Sequence, residues 1–157
     1  MSIEKGRAFF RSLGMEDRVM EFTVSSATVD LAAKALGVEG ARIAKTLSFK
    51  TETGCMLILA AGDARIDNKK FKEKFHFKAR MLSAEEVQEL VGHPIGGVCP
   101  FGCNEGIPVY LDDSLKRFTT VFPAVGSPNS AIELDLEELF RCSRALEWID
   151  VCKLPEV

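Results

Sequence analysis

Residues 46–61 commit the chain to a β-hairpin, and that limits every architecture open to the rest. Across residues 46–50, apolar Leu47 and Phe49 alternate with Thr46, Ser48 and Lys50, the period of a strand with two unlike faces. Gly54 marks a turn, and residues 55–61 follow as an unbroken apolar strand. The run from Met56 to Ala61 is far too short to cross a bilayer. A hairpin here breaks the regular strand–helix–strand rhythm that a doubly wound parallel sheet requires.

The other segments are mixed around this hairpin. Ser2 is placed to cap a first helix carrying Phe9, Phe10 and Leu13, stopped by Gly14. A strand is expected over residues 19–24. Ser26 is the expected cap of a helix with Val29, Ala32, Ala33 and Leu36 on one face, closed by Gly37. A basic helix is expected over 67–75 and a short strand over 79–82. Ser83 to Glu86 and Asp135 to Glu138 are capping boxes that open two more helices. Strands are expected at 108–111, 119–122, 131–134 and 145–151. The pattern is α+β: a mixed, largely antiparallel curved sheet or open barrel surrounded by helices.

With 157 residues, 46% hydrophobic and 27% charged, the chain has the balance of one globular domain, expected to span residues 1–157. The N-terminus lacks the apolar stretch of a signal peptide, so a cytoplasmic location is expected. Five dispersed cysteines then read as free thiols. A net charge of −3 argues against a general nucleic-acid binder. Local charge is different: Lys69, Lys70, Lys72, Lys74, Lys78 and Arg80 cluster with Phe71, Phe75 and Phe77 interleaved. Such a stretch either tracks a phosphate backbone or is a solvated helix face with its phenylalanines in the core.

Residues 96–102, Gly-Gly-Val-Cys-Pro-Phe-Gly, cannot be helix interior or central strand. They form either a surface turn or a loop whose amides can approach a carbonyl oxygen. Lys45, at the entry to the alternating strand, is either a solvated cation or a fixed charge for a phosphate or polarised carbonyl. His93 is the better placed of two histidines for a general base, and equally suits a packing role. Cys99 and Cys103 lack the second ligand pair of a zinc site, so no metal is expected. Cys99 as a nucleophile finds no convincing base in the sequence.

Taken together, Ile43-Ala44-Lys45-Thr46-Leu47, Ala61-Gly62-Asp63 with Asp67, and the stretch from Gly92 through Gly102 resemble the YbaK/prolyl-tRNA-synthetase-associated domain family. Ser26-Ala27-Thr28 and Gly126-Ser127-Pro128 fit the same pattern, and the resemblance covers about residues 1–152. It implies trans-editing: hydrolysis of the ester of mischarged aminoacyl-tRNA. It implies that Lys45 binds the 3′-terminal phosphate or orients the acyl group, with Gly96 and Gly97 as its catalytic partners. Thr28, Thr46, Cys99, Pro100, Phe101, Gly102, Gly126, Ser127 and Asn129 become the expected substrate-binding residues. Lys69, Lys70, Lys72 and Lys74 become the expected tRNA contacts. The acceptor end of aminoacyl-tRNA is the expected partner, with an aminoacyl-tRNA synthetase as a further one. No cofactor, membrane or DNA is expected. Thr46, Asn129 and Cys99 depart from residues seen in other branches, so the acyl specificity stays open. Two alternatives are a non-catalytic tRNA- or nucleotide-binding module and a Cys99-dependent hydrolase.

Overall fold

The computed structural model describes residues 2–26, 28–94 and 96–155. Along the chain run α1 (Ser2–Ser12), β1 (Met20–Glu21), α2 (Val29–Leu36), β2 (Ile43–Thr51), β3 (Gly54–Ala61), β4 (Arg65–Ile66) and α3 (Asn68–Phe75). Then come α4 (Ala84–Glu86), β5 (Val109–Asp112), β6 (Thr120–Pro123), β7 (Ser130–Ala131), β8 (Leu134–Asp135), α5 (Leu136–Ser143), β9 (Glu147–Ile149) and β10 (Cys152–Lys153).

The expected hairpin is the centre of the molecule. β2 and β3 pair antiparallel from Ala44↔Ala61 to Thr51↔Gly54. They sit inside a curled, mixed sheet of order β8-β6-β2-β3-β5-β9, a half-barrel with helices outside. Antiparallel pairing is concentrated in the long β2–β3 ladder. The parallel neighbours are short: β2 with β6, β3 with β5 and β5 with β9. They are parallel because the chain reaches them by crossovers rather than by hairpins.

β3 is unbrokenly apolar because it is covered on both faces. Leu57, Ile58 and Leu59 are fully buried, and each such side chain contributes about 1.5–3 kcal/mol of transfer free energy. Phe71 of α3 packs on Phe49 with ring centroids 5.1 Å apart, and Phe10 of α1 packs on Phe101 at 4.7 Å. α2 closes the other end through a smaller cluster of Ala32, Ile43 and Phe122.

Both capping boxes form, at Ser83 with Glu86 and at Asp135 with Glu138. The first opens α4, which widens at once into a π-helical turn over Val87–Val91. The cap of α2 is Thr28, which accepts from the Leu31 amide at 3.1 Å. Ser26 lies too early and instead donates to the Pro128 carbonyl. The expected side-chain cap at Ser2, and Ala27 within its motif, lie outside the described residues.

The expected strand at 131–134 is two strands. β7 pairs with β1 and β8 pairs with β6, because the chain changes sheets at Ile132. β1 itself is shorter than expected, since beyond Glu21 the chain bends to bond the 128–129 backbone. The expected strand at 79–82 reduces to a single bridge, Phe49↔Met81.

These last changes shape one edge of β2. β6 pairs only with Ile43 and Ala44. At the far half, Lys50 N–H donates to Arg80 O at 2.8 Å and Leu82 N–H donates to Ser48 O at 3.2 Å. Between the two partners, at residues 45–47, no strand among the described residues lies opposite β2.

Candidate active site

A cavity of about 180 Å³ fills that gap. Lys45, Thr46 and Ser48 form its β2 wall, Leu82 and Val87 one side, and Phe122 and Ala124 the other. Gly96 and Val98 of the glycine loop close it, and Thr28 stands at the start of α2.

Lys45 is fixed there. Its ammonium donates to Gly62 O at 3.3 Å and to Ala64 O. An ammonium has three donors, so one remains for another acceptor. Burial pushes its pKa below the usual lysine value. The nearby Cys152 and Asp63 oppose that shift, and Arg65 adds to it.

The turn that seats the ammonium is itself pinned. A Cβ at Gly62 would lie 2.1 Å from Gly40 O, so only glycine permits the close approach. Arg117 forks onto Asp63 at 2.5 and 3.1 Å and donates to Ser114 O at 2.9 Å. The Arg117 guanidinium holds the Asp63 carboxyl below the usual carboxylate range.

Thr46 Oγ1 is buried and has no hydrogen-bond partner among the described residues. A lone buried hydroxyl costs about 1–3 kcal/mol, a penalty that a polar ligand group can relieve.

The glycine loop divides in two. Gly96 adopts φ +90° and stands at the cavity wall. Gly97 permits close packing of two loops: a Cβ would lie 2.7 Å from the Gly126 and Ser127 backbones. Its amide donates to Pro94 O at 3.0 Å, so it closes a turn rather than awaiting a carbonyl. Ile95 lies outside the described residues.

Cys99, Pro100 and Phe101 are buried away from the cavity. Phe101 packs on Phe9 and Phe10. Gly102 faces α1, where a Cβ would lie 2.5 Å from Lys5 O. These four residues, expected to touch substrate, lie outside the lining of this cavity. They anchor the loop because apolar side chains and a close backbone approach draw them inward.

Cys99 and His93 are buried together, with Cys99 Sγ 3.6 Å from His93 Nε2. Cys99 has no exposed surface, and burial pushes its thiol far up. His93 is equally buried, with its pKa lowered by burial and Nε2 2.8 Å from Phe101 O.

Gly126, Ser127 and Asn129 stand behind the cavity wall. Asn129 Nδ2 donates to Phe22 O at 2.9 Å, and Ser127 Oγ donates to Asn129 Oδ1 at 2.8 Å. They join the 22–26 segment to the glycine loop and lie outside the cavity lining.

On α3, Lys70 pairs with Asp150 and Lys74 with Glu147, at 3.0 and 2.6 Å. Lys69 and Lys72 have no ion pair among the described residues and share a shallow depression with Lys78. From there residues 78–82 lead directly to the cavity rim at Met81 and Leu82. The phenylalanines of this stretch are core: Phe71, Phe75 and Phe77 pack on one another.

Sequence reading missed Ser48, Leu82, Val87 and Ala124 as cavity residues. Ser48 had a signal, because strand period 2 puts it on the same side as Thr46. The others are ordinary apolar residues whose place depends on the chain's return path. Among the described residues no helix is long and apolar enough to cross a membrane, and no cluster of metal-ligating side chains occurs.

A family model described as aminoacyl-tRNA editing domain matches residues 23–142. The chain is 58% identical over 154 residues to the uncharacterized protein YwhH of Bacillus subtilis (strain 168), covering 98% of each. It is 28% identical over 138 residues to the proline–tRNA ligase of Thermosipho melanesiensis, and the match spans 24% of that ligase. A crystal structure described as a candidate trans-editing enzyme for prolyl tRNA synthetase superposes with TM-score 0.87 at 33% identity, covering 97% of both chains. Its fold and sequence place this chain in the aminoacyl-tRNA editing domain family.

Proposed function

We propose that this protein hydrolyses the ester bond of mischarged aminoacyl-tRNA in trans. The observation that carries the reading is Lys45. It is a cation held by two backbone carbonyls at the wall of a small cavity, with one donor to spare. Thr46 and Gly96 complete the walls of an acyl pocket.

An aminoacyl ester is already activated, so the reaction does not need an enzyme nucleophile. Water adds to the carbonyl carbon, the bond to the ribose oxygen breaks, and that oxygen leaves with a proton. Positioning the ester and stabilising the developing oxyanion supply the acceleration. Lys45 is suited to stabilise that oxyanion or to hold the adjacent terminal phosphate. The vicinal ribose hydroxyl is available to assist. Lys69 and Lys72 are the α3 residues left for the acceptor stem, with Lys78 beside them.

The test is a panel of mischarged tRNAs, including tRNA-Pro carrying Ala, Cys or Ser. Release of the amino acid by the wild type and its loss in Lys45→Ala are expected. Salt-dependent tRNA binding without turnover of any ester would replace this reading by a non-catalytic binding module on the same fold.

A further inference from the structure

The gap in the outer edge of β2 has a definite hydrogen-bonding character. Every residue of β2 from 44 to 51 has a β3 partner in register, so the edge that each backbone faces is read from the other side. Even residues face the other edge, as Ser48 O and Lys50 N show by bonding residues 82 and 80. In a strand this alternation is obligatory. The N–H and C=O of Thr46 therefore point into the gap. β6 stops pairing at Ala44, and the 80–82 segment takes up only Ser48 and Lys50. Among the described residues no backbone group takes up the Thr46 rung, and Thr46 Oγ1, also without a partner among them, stands on the same residue.

An open rung takes a group with a donor on one side of a tetrahedral carbon and an acceptor on the other. An aminoacyl ester is such a group, with its α-ammonium and ester carbonyl flanking Cα. We infer that the aminoacyl moiety of the substrate docks as a one-residue strand in the β2 gap, its α-ammonium donating to Thr46 C=O and its ester carbonyl accepting from Thr46 N–H. This is strand addition reduced to a single residue. It rests on the deacylase reading for the identity of the ligand. It adds what that reading lacks, a reason why the site selects a free α-amino acid. The docked residue shares the cavity with Lys45. Thr46 Oγ1 is left for the acyl side chain.

Two measurements test it. In the first, the protein is given alanyl-tRNA-Pro, its N-acetyl derivative and its des-amino propionyl counterpart. Loss of a charged hydrogen bond lowers kcat/KM about 10- to 100-fold for the propionyl ester. The N-acetyl ester, which is blocked and uncharged, falls at least as far. Equal rates on all three esters overturn the inference. In the second, a non-hydrolysable 3′-alanylamido-adenosine is titrated into 15N-labelled protein. The Thr46 amide is expected to shift, and the propionylamido analogue to shift it far less. Equal shifts, or none at Thr46, overturn the docking mode whatever the activity. Shifts at Thr46 with no turnover of any tRNA would instead sink the deacylase reading and leave the docking mode standing. Thr46→Val is the companion variant. It keeps the rung and removes only Oγ1, so discrimination against the propionyl ester persists within about twofold.

Discussion

The two edges of β2 behave as opposites. Toward β3 the ladder is continuous over residues 44–51. Toward β6 it is paired at one end, strapped at the other and open between. Neighbouring residues thus divide the two edges, Lys45 turning its backbone groups to β3 and Thr46 turning its own to the cavity. Saturation gives stability, and the interruption gives a place where a ligand can complete the sheet. Substitutions on the two sides are expected to separate stability from activity.

The largest effect is expected on the saturated side. Leu59→Ala opens a hole in the fully buried strand β3. It should cost about 3 kcal/mol, read as a lower urea midpoint with an unchanged slope. On the open side, Lys45→Ala should lower the rate of deacylation about 100-fold, about 2.7 kcal/mol of barrier, while the midpoint stays near that of wild type. A Lys45→Ala protein that unfolds as readily as Leu59→Ala would break the comparison.

Gly97→Ala should fall between the two. Its Cβ would press on the Gly126 and Ser127 backbones at 2.7 Å. Overpacking of this kind costs about 1–3 kcal/mol. Because both loops frame the cavity, stability and rate should fall together, and a loss confined to one would show that the loops are not coupled.

Proton linkage sharpens the contrast further. Burial lowers the Lys45 pKa, so its ammonium deprotonates at a pH below that of an ordinary lysine. The deacylation rate should fall through that lower pH. Stability should move the other way in the same window. The folded state carries the cost of a buried cation below the lowered pKa and sheds it as pH rises toward the unfolded value. A pH–rate profile whose alkaline limb sits at the ordinary lysine value would contradict the assignment of Lys45.

The smallest effects are expected on α3. Lys69→Glu and Lys72→Glu should each raise the KM for tRNA several-fold and reduce the salt slope by about 1. Lys70→Gln and Lys74→Gln, already paired with Asp150 and Glu147, should change KM less than twofold. Equal effects from all four would show that the tRNA backbone competes for the paired lysines as well.

The sequence carried the elements with strong local rules. The alternating and continuous halves of the hairpin predicted β2 and β3. The capping boxes predicted the starts of α4 and α5, because those signals lie within four residues. The resemblance singled out Lys45 and the glycine loop as neighbours. Several signals were lost in assembly. The resemblance also made Cys99, Phe101 and Gly102 expected pocket residues, and only the packed core shows that the loop turns inward after Val98.

What the sequence determined by itself was local: period, turns and caps. Tertiary structure decided which strand edges meet. The strand expected at 79–82 became a strap, and β6 stopped after two rungs. No local pattern encodes those lengths, because pairing is settled between segments some thirty to eighty residues apart. The open rung at Thr46 is a product of that long-range choice. A sequence reading could name the residue but not the vacancy beside it.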